Sequence, residues 1–361
     1  MPAAEFELSV ACCRWNWAGD GAERIRHLSN KVDWPRFLHV ARRHGVQRLA
    51  GSALQANSIF PPAPVGDELT RDILALTERN LRSAQVSASL LAACQKAGLP
   101  VLFVKGLSLS ALAFGDPFLK NNVDVDILVD RRDLRAVSAI LAKMGFQAVI
   151  PAVQADSPDL EAWHERRKES AWLNSETGLS VDLHTGLSDN PTLIPGIGMN
   201  SPTQSVEITS QLALPTLATD ELFAYLCVHG TWSAWYRLKW IADVAALLWR
   251  SGHDEALHLY DRAIRSGAGR APAVTLLVAD GLFGIGLPAD MRHQLERDSI
   301  TRLLARICLR ELRQKEAPPD RAAGTLLMHL MRPLILRGAM SKLSEVKRQL
   351  HDVALHATLQ H

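Results

Sequence analysis

The sequence predicts an α+β fold in which a small mixed sheet is flanked by helical regions. Apolar residues recur at helical spacing before residue 97 and again after residue 218. Between them, short β-branched and aromatic runs alternate with helical segments. We therefore divide the chain into an N-terminal helical region (1–96), an α+β domain (97–187), a linker rich in Pro, Gly, Ser and Thr (188–218) and a C-terminal helical domain (219–361).

Helix signals organise the first region. Asp33, Trp34 and Pro35 predict a helix start, with Asp33 as the N-cap and proline in the first turn. Residues 58–66 hold three prolines and a glycine, which predicts a loop. A long amphipathic helix is then expected over residues 67–96.

The middle region reads as five strands and two helices. We expect strands at 101–104, 123–129, 146–150, 169–173 and 179–184, and helices at 108–114 and 134–144. The last two strands should form a hairpin around residues 174–178. In the C-terminal domain we expect helices at 220–231, 236–250, 254–266, 270–283, 298–313 and 322–354.

Composition narrows the class of protein. The chain has 361 residues, of which 47% are hydrophobic and 22% charged, as in an ordinary soluble globular protein. A net charge of only +2 argues against a nucleic-acid partner. Five cysteines without a CxxC motif argue against a disulfide framework or a zinc site. With no secretory-signal layout and no apolar run of about 20 residues, we expect a cytoplasmic protein without a membrane partner.

Two aspartates lie on one predicted strand. Side chains alternate along a strand, so Asp124 and Asp126 share one face while Val125 and Ile127 point to the other. Two carboxylates on one face of an apolar strand repel each other and are costly to desolvate. A hard cation between them would offset both costs, so we predict Mg²⁺ or Mn²⁺ at this pair. The alternative is a surface strand with solvated carboxylates.

A third aspartate lies on a later strand. Ser180, Asp182 and His184 share the face opposite Val181 and its apolar neighbours. If the two strands are neighbours, three aspartates converge, which suits two-metal phosphoryl chemistry. His184 would then orient a phosphate or base, or be a structural histidine bonded to a backbone carbonyl.

An anion-binding turn is predicted upstream. Lys105 and Gly106 stand between a strand and a helix, where backbone amides and the helix dipole favour an anion. Gly106 would let a phosphate approach the backbone, Ser108 would donate a hydrogen bond and Lys105 would neutralise charge. Lys105 could equally be a surface lysine with a buried stem.

These motifs together resemble a known family. The segments VKGLSLSALAFGDPFLKNNVDVDILV, VDLHTGL and HGTWSAWYRLKWIADVAALL are similar to the bacterial uncharacterised nucleotidyltransferases, within the DNA polymerase β-like nucleotidyltransferase superfamily. The resemblance covers roughly residues 30–260, and its most specific part is the Asp-x-Asp strand. It implies a polymerase β-like catalytic domain at 97–187.

The resemblance also implies residue roles. Asp124, Asp126 and Asp182 would be the catalytic, metal-binding carboxylates, and Gly106 the glycine of the phosphate turn. Lys120 stands where relatives usually carry arginine, and it would contact the nucleotide. A helix with Lys239 would pack against the nucleotide cleft, so that Lys239 reaches a phosphate. Lys239 could instead pair with Asp243, four residues on.

The function that these expectations describe is a magnesium-dependent nucleotidyltransferase. It would move a nucleoside monophosphate from a nucleoside triphosphate (NTP) to an acceptor and release pyrophosphate. The acceptor would be a small molecule, a peptide, such as a modified peptide, or a protein. Three alternatives stay open: a nucleotide-binding partner protein without catalysis, a toxin-like enzyme that modifies tRNA or protein, and a helical scaffold in which the aspartates are incidental.

Overall fold

The structure is a computed structural model that describes residues 4–14, 19–321 and 324–358, the side chains of 253, 254 and 351–358 excepted. It confirms the predicted α+β class, with a five-stranded mixed sheet and many helices. The chain forms two compact units. The first unit comprises Met1–Asp189 with Gly196–Leu222, and the second comprises Asn190–Pro195 with Phe223–His361.

Among the described residues, five helices precede the sheet. They are α1 (Ala4–Cys12), α2 (Asp20–Ser29), α3 (Trp34–His44), α4 (Gln47–Ala56) and α5 (Ala63–Lys96). Helix α3 starts as predicted, because the Asp33 carboxylate caps it by accepting a hydrogen bond from the backbone amide of Arg36. α5 begins at Ala63 rather than at the predicted residue 67. Proline is tolerated in a first helical turn, so Pro64 does not delay the helix.

The central sheet contains five strands. They are β1 (Leu102–Phe103), β2 (Asp124–Leu128), β3 (Gln147–Ile150), β4 (Glu169–Asn174) and β5 (Leu179–His184). Their order is β1-β2-β5-β4-β3, with β2 and β5 parallel and the other pairs antiparallel. The predicted β4–β5 hairpin is confirmed. Helices α6 (Gly106–Phe114), α7 (Leu134–Lys143) and α8 (Pro158–His164) connect the strands.

One hydrophobic core supports the sheet. Ile127 of β2 and Val181 of β5 are buried in it, together with Leu90 of α5. The long helix α5 therefore packs into the same core as the strands, although the predicted domain boundary between residues 96 and 97 separates the helix from the sheet. This packing anchors the strand that carries the aspartates to α5.

The predicted linker contains a second small sheet. β6 (Thr203–Thr209) and β7 (Leu212–Leu217) pair antiparallel within residues 188–218, so this part of the linker prediction is wrong. Val206, Ile208 and Leu214 are buried in the core of the larger sheet, and this burial stabilises the hairpin. The hairpin was not predicted because its Pro, Ser and Thr residues are typical of a loop and interrupt the apolar–polar alternation of a strand. Pro215 fits because a two-stranded sheet has only edge strands.

In the described part of the chain, eight helices follow the hairpin. They are α9 (Thr219–Trp232), α10 (Leu238–Ser251), α11 (His253–Arg265), α12 (Ala271–Phe283), α13 (Ala289–Arg297), α14 (Ser299–Leu312), α15 (Leu326–Ile335) and α16 (Ala339–Thr358). The single helix predicted at 322–354 is interrupted between α15 and α16, where Gly338 has a φ of 85°. The prediction also missed α13. Among the described residues, no helix is long and apolar enough to cross a membrane.

Candidate active site

Three aspartates meet on two neighbouring parallel strands. Asp124 and Asp126 alternate with the buried Val125 along β2, as predicted. β5 lies directly beside β2, and the register pairs Asp126 with Asp182. The condition on which the third carboxylate depended, adjacency of the two strands, is therefore met. Asp124 and Asp182 are partly buried, and Asp126 is 3% exposed.

Asp126 is held by a lysine and a histidine. Its Oδ1 lies 2.5 Å from Lys105 Nζ and 3.2 Å from His184 Nε2. Burial acts to raise the pKa of the Asp126 carboxyl, but the Lys105 ammonium and the His184 hydrogen bond outweigh it and hold this pKa well below its usual range. Asp126 is thus an ionised carboxylate in a buried position.

Asp182 is in the opposite electrostatic situation. Burial and the negative charges of Asp126, Asp124 and Glu169 raise the pKa of the Asp182 carboxyl to about 8. Without a cation beside it, this carboxyl is mostly protonated at neutral pH. Two adjacent carboxylates that cannot both ionise comfortably are an arrangement that a divalent cation relieves.

The donor set fits a divalent ion. Asp126, Asp182 and His184 each offer a ligand atom, and these atoms lie within 4.8 Å of one another. Asp124 lies two residues from Asp126 on the same strand face, and its charge acts on Asp182. Carboxylate oxygens suit Mg²⁺ and Mn²⁺ alike, whereas an imidazole nitrogen would favour Mn²⁺.

A second carboxylate stands behind His184. His184 is fully buried, and its Nδ1 lies 3.1 Å from Glu169 Oε2. Lys168 Nζ contacts the same Glu169 oxygen. Burial acts to raise the pKa of the Glu169 carboxyl, yet Lys168, His184 and Lys105 lower it to about 2. His184 therefore lies between two ionised carboxylates, and its hydrogen bond to Asp126 fixes its ring orientation.

Sequence reasoning missed Glu169 as part of this site. The signal was available in the predicted hairpin, because the β4–β5 register places Glu169 opposite His184. The expectation of a structural His184 bonded to a backbone carbonyl differs from the structure, in which both ring nitrogens face side-chain carboxylates.

The predicted anion-binding turn lies beside β2. Lys105 is the N-cap of α6, and Gly106 has a φ of 64°, a region that glycine adopts without strain. A Cβ at Gly106 would lie 3.8 Å from the Asp124 carbonyl oxygen, an ordinary contact. The glycine is thus required by backbone conformation rather than by space. Ser108 is fully buried, and its Oγ has no hydrogen-bond partner among the described residues.

Side chains of α5 form hydrogen bonds to the backbone of the segment that leads into β2. The Asn80 amide donates to the Phe118 and Lys120 carbonyl oxygens, both at 2.9 Å. Arg79 Nε donates to the Val123 carbonyl oxygen at 3.1 Å. These bonds fix the backbone of Lys120, which is 5% exposed, and the start of the aspartate strand. About 40 residues separate the partners, so no local sequence pattern could have identified Arg79 or Asn80.

Asn80→Ala is expected to lower the free energy of unfolding by about 1–3 kcal/mol, because one buried and one partly buried carbonyl lose their donor. Urea unfolding followed by circular dichroism measures the change. Asn57→Ala is the matched control, since its amide donates only to Ala53 in its own helix, and its loss should be smaller. Equal losses in the two variants would show that Asn80 has no special role.

Lys239 belongs to the second compact unit, whereas the three aspartates belong to the first. It is on α10 in the second unit and is 7% exposed. Its predicted contact with a phosphate stays a prediction, as do the nucleotide contacts expected of Lys105, Ser108 and Lys120.

Comparison with known proteins gives a match to a protein family. Residues 30–284, well over half of the chain, match the model of a protein family described as "Uncharacterised nucleotidyltransferase". No curated protein and no solved structure matches the chain. The matched range contains both aspartate strands and the glycine turn.

Proposed function

The chain belongs to the uncharacterised nucleotidyltransferase family, and on that premise we propose that it transfers a nucleoside monophosphate from an NTP to an acceptor. The observation that carries this proposal is the β2–β5 register, which sets Asp126 beside Asp182 with Asp124 on the same side. Carboxylates gathered on adjacent strands next to a glycine turn are suited to phosphoryl chemistry.

Asp124, Asp126 and Asp182 would hold the metal ion. Mg²⁺ or Mn²⁺ bound there supplies neutralisation of the triphosphate charge and an electrophilic environment at the α-phosphorus. His184 and Glu169 would hold Asp126 in place from behind. The first amides of α6, which begins at Gly106, would bind phosphate oxygens.

The reaction is a substitution at the α-phosphorus. An acceptor hydroxyl or phosphate oxygen forms a bond to that phosphorus, and the bond to the bridging αβ oxygen breaks. Pyrophosphate leaves with the electron pair of that bond. The Asp182 carboxylate, ionised when a divalent cation lies beside it, would accept the proton of an acceptor hydroxyl. The acceptor would be a small molecule, a peptide or a protein.

Titration calorimetry tests this function. We expect at least one of the four ribonucleoside triphosphates to bind in the presence of Mg²⁺ and to be released by chelator. Binding should disappear in Asp124→Ala/Asp126→Ala, because the negative charge that attracts the metal is removed. Asp130→Ala/Asp133→Ala removes the same charge just beyond the strand and should bind normally.

Turnover separates an enzyme from a binding protein. A bound triphosphate labelled at the α-phosphorus should transfer its label to an acceptor in a cell extract or, slowly, to water. Binding without any label transfer would favour a nucleotide-binding partner protein. A folded protein that binds no triphosphate would contradict the proposal altogether.

A further inference from the structure

Lys105 stands where a metal ion would have to bind. Its Nζ lies 2.5 Å from Asp126 Oδ1, an oxygen that His184 Nε2 also contacts. The Lys105 positive charge also acts on Asp182 and Glu169. An ammonium and a divalent ion cannot share one side of the same carboxylate oxygen, so metal binding to Asp126 Oδ1 requires Lys105 to move.

The two partners of Asp126 differ in their freedom to move. The His184 side chain is fully buried between Asp126 and Glu169, whereas the Lys105 side chain is 14% exposed. Lys105 also has four flexible carbon–carbon bonds and lies immediately before the Gly106 turn. Of the two, Lys105 is the group that can be displaced.

We propose that Lys105 is an internal counter-cation that keeps free divalent ions off Asp126 and releases this carboxylate only when a triphosphate arrives. This inference rests on the proposed function and makes it more specific, because the true ligand becomes the metal–triphosphate complex rather than the metal followed by the nucleotide.

The exchange follows from charge. Lys105 is the N-cap of α6, so a triphosphate bound at the first amides of that helix would lie beside the lysine. The ammonium would then exchange one carboxylate for several phosphate oxygens, and Asp126 would gain the metal that accompanies them. Because each ligand relieves the obstacle to the other, metal and triphosphate should bind with positive coupling, and the coupling must be reciprocal.

Mn²⁺ affinities with and without nucleotide test the proposal. They are measured by electron paramagnetic resonance of free Mn²⁺ on the full chain, for wild type and Lys105→Met, with and without α,β-methylene triphosphates of the four ribonucleosides. In the absence of nucleotide, Lys105→Met should bind Mn²⁺ about tenfold more tightly or better, since a competing charge is gone. The gain in Mn²⁺ affinity on adding nucleotide should shrink by a similar factor.

A matched control separates local competition from net charge. Lys168→Met also removes one lysine from the site, but this lysine contacts Glu169 rather than Asp126. Its Mn²⁺ affinity should stay within about twofold of wild type, because a charge that does not compete for the ligand oxygen has a weaker effect. Lys105→Gln, which keeps a polar contact to Asp126, replaces the methionine variant should the latter fail to fold.

The outcomes are distinguishable. If a folded Lys105 variant binds Mn²⁺ no better than wild type while triphosphate binding persists, the role of Lys105 is wrong and the proposed function stands. If wild type binds no triphosphate with Mn²⁺, the proposed function is wrong, and the release step falls with it. Tighter Mn²⁺ binding together with reduced coupling, confined to position 105, supports the inference.

Discussion

Asp126→Asn is expected to lower the rate of pyrophosphate release by at least about 10³-fold, which corresponds to about 4 kcal/mol of transition-state stabilisation. Asp126 is the most buried of the three aspartates and lies opposite Asp182 in the sheet register. Removing its charge takes away the carboxylate that the proposed metal needs and leaves Lys105 and His184 without their anionic partner. Release from the bound triphosphate, with water as acceptor, can be measured before the natural acceptor is known.

Asp130→Asn is the control for this change. Asp130 follows the same strand by two residues and caps the short 3₁₀ turn at Arg131–Asp133, a role that asparagine also fills. Its activity should stay within about twofold of wild type, since caps of this kind are interchangeable. Near-normal activity in a folded Asp126→Asn protein would show that Asp126 takes no part in the reaction, and it would remove the central support of the proposed mechanism.

The parts of the site that could be predicted are those encoded locally. An Asp-x-Asp pair within an apolar run defines both the strand and the face on which its carboxylates lie, and the turn at 174–178 defines the hairpin. Together these local signals allowed Asp182 to be proposed as the third carboxylate. The sequence did not predict that β2 and β5 pair in parallel, because a pairing between residues more than 50 positions apart has no local signature.

What could not be predicted depends on tertiary packing. The β6–β7 hairpin resembles a linker in composition and gains its stability from three apolar side chains buried under the main sheet. In the sequence Asn80 is one polar residue on a long helix, yet in the structure its amide donates hydrogen bonds to the backbone of the segment before β2. Lys105 was expected at a phosphate, and only the three-dimensional structure reveals that it pairs with the Asp126 carboxylate.

Asp182→Asn is expected to stabilise the metal-free protein at alkaline pH while abolishing transfer. The folded state raises the pKa of this carboxyl to about 8 from its ordinary value of 3.8. Between those two values the native protein retains a proton that the unfolded chain has lost. The free energy of unfolding contributed by Asp182 therefore falls as pH rises, and the penalty is complete above about pH 8.

The asparagine amide has nearly the shape of the carboxyl but cannot ionise, so it removes this penalty. At pH 8.5 the variant should exceed wild type by on the order of a few kcal/mol, since each pKa unit corresponds to about 1.4 kcal/mol. At pH 4 the difference should nearly vanish. Thermal and urea unfolding at both pH values, in chelator, measure it, and Asp156→Asn, an exposed carboxylate, should change stability little at either pH.

Metal addition gives the complementary result. Mg²⁺ added together with a triphosphate at pH 8.5 should raise the stability of wild type by neutralising the carboxylates that destabilise it, and the pair should have a much smaller effect on Asp182→Asn. A variant that is less stable than wild type at pH 8.5 would mean that the Asp182 carboxylate is well accommodated without a cation. The site would then lack the electrostatic strain that a bound metal relieves. A more stable but inactive variant would instead identify Asp182 as a group whose ionisation costs stability and serves catalysis.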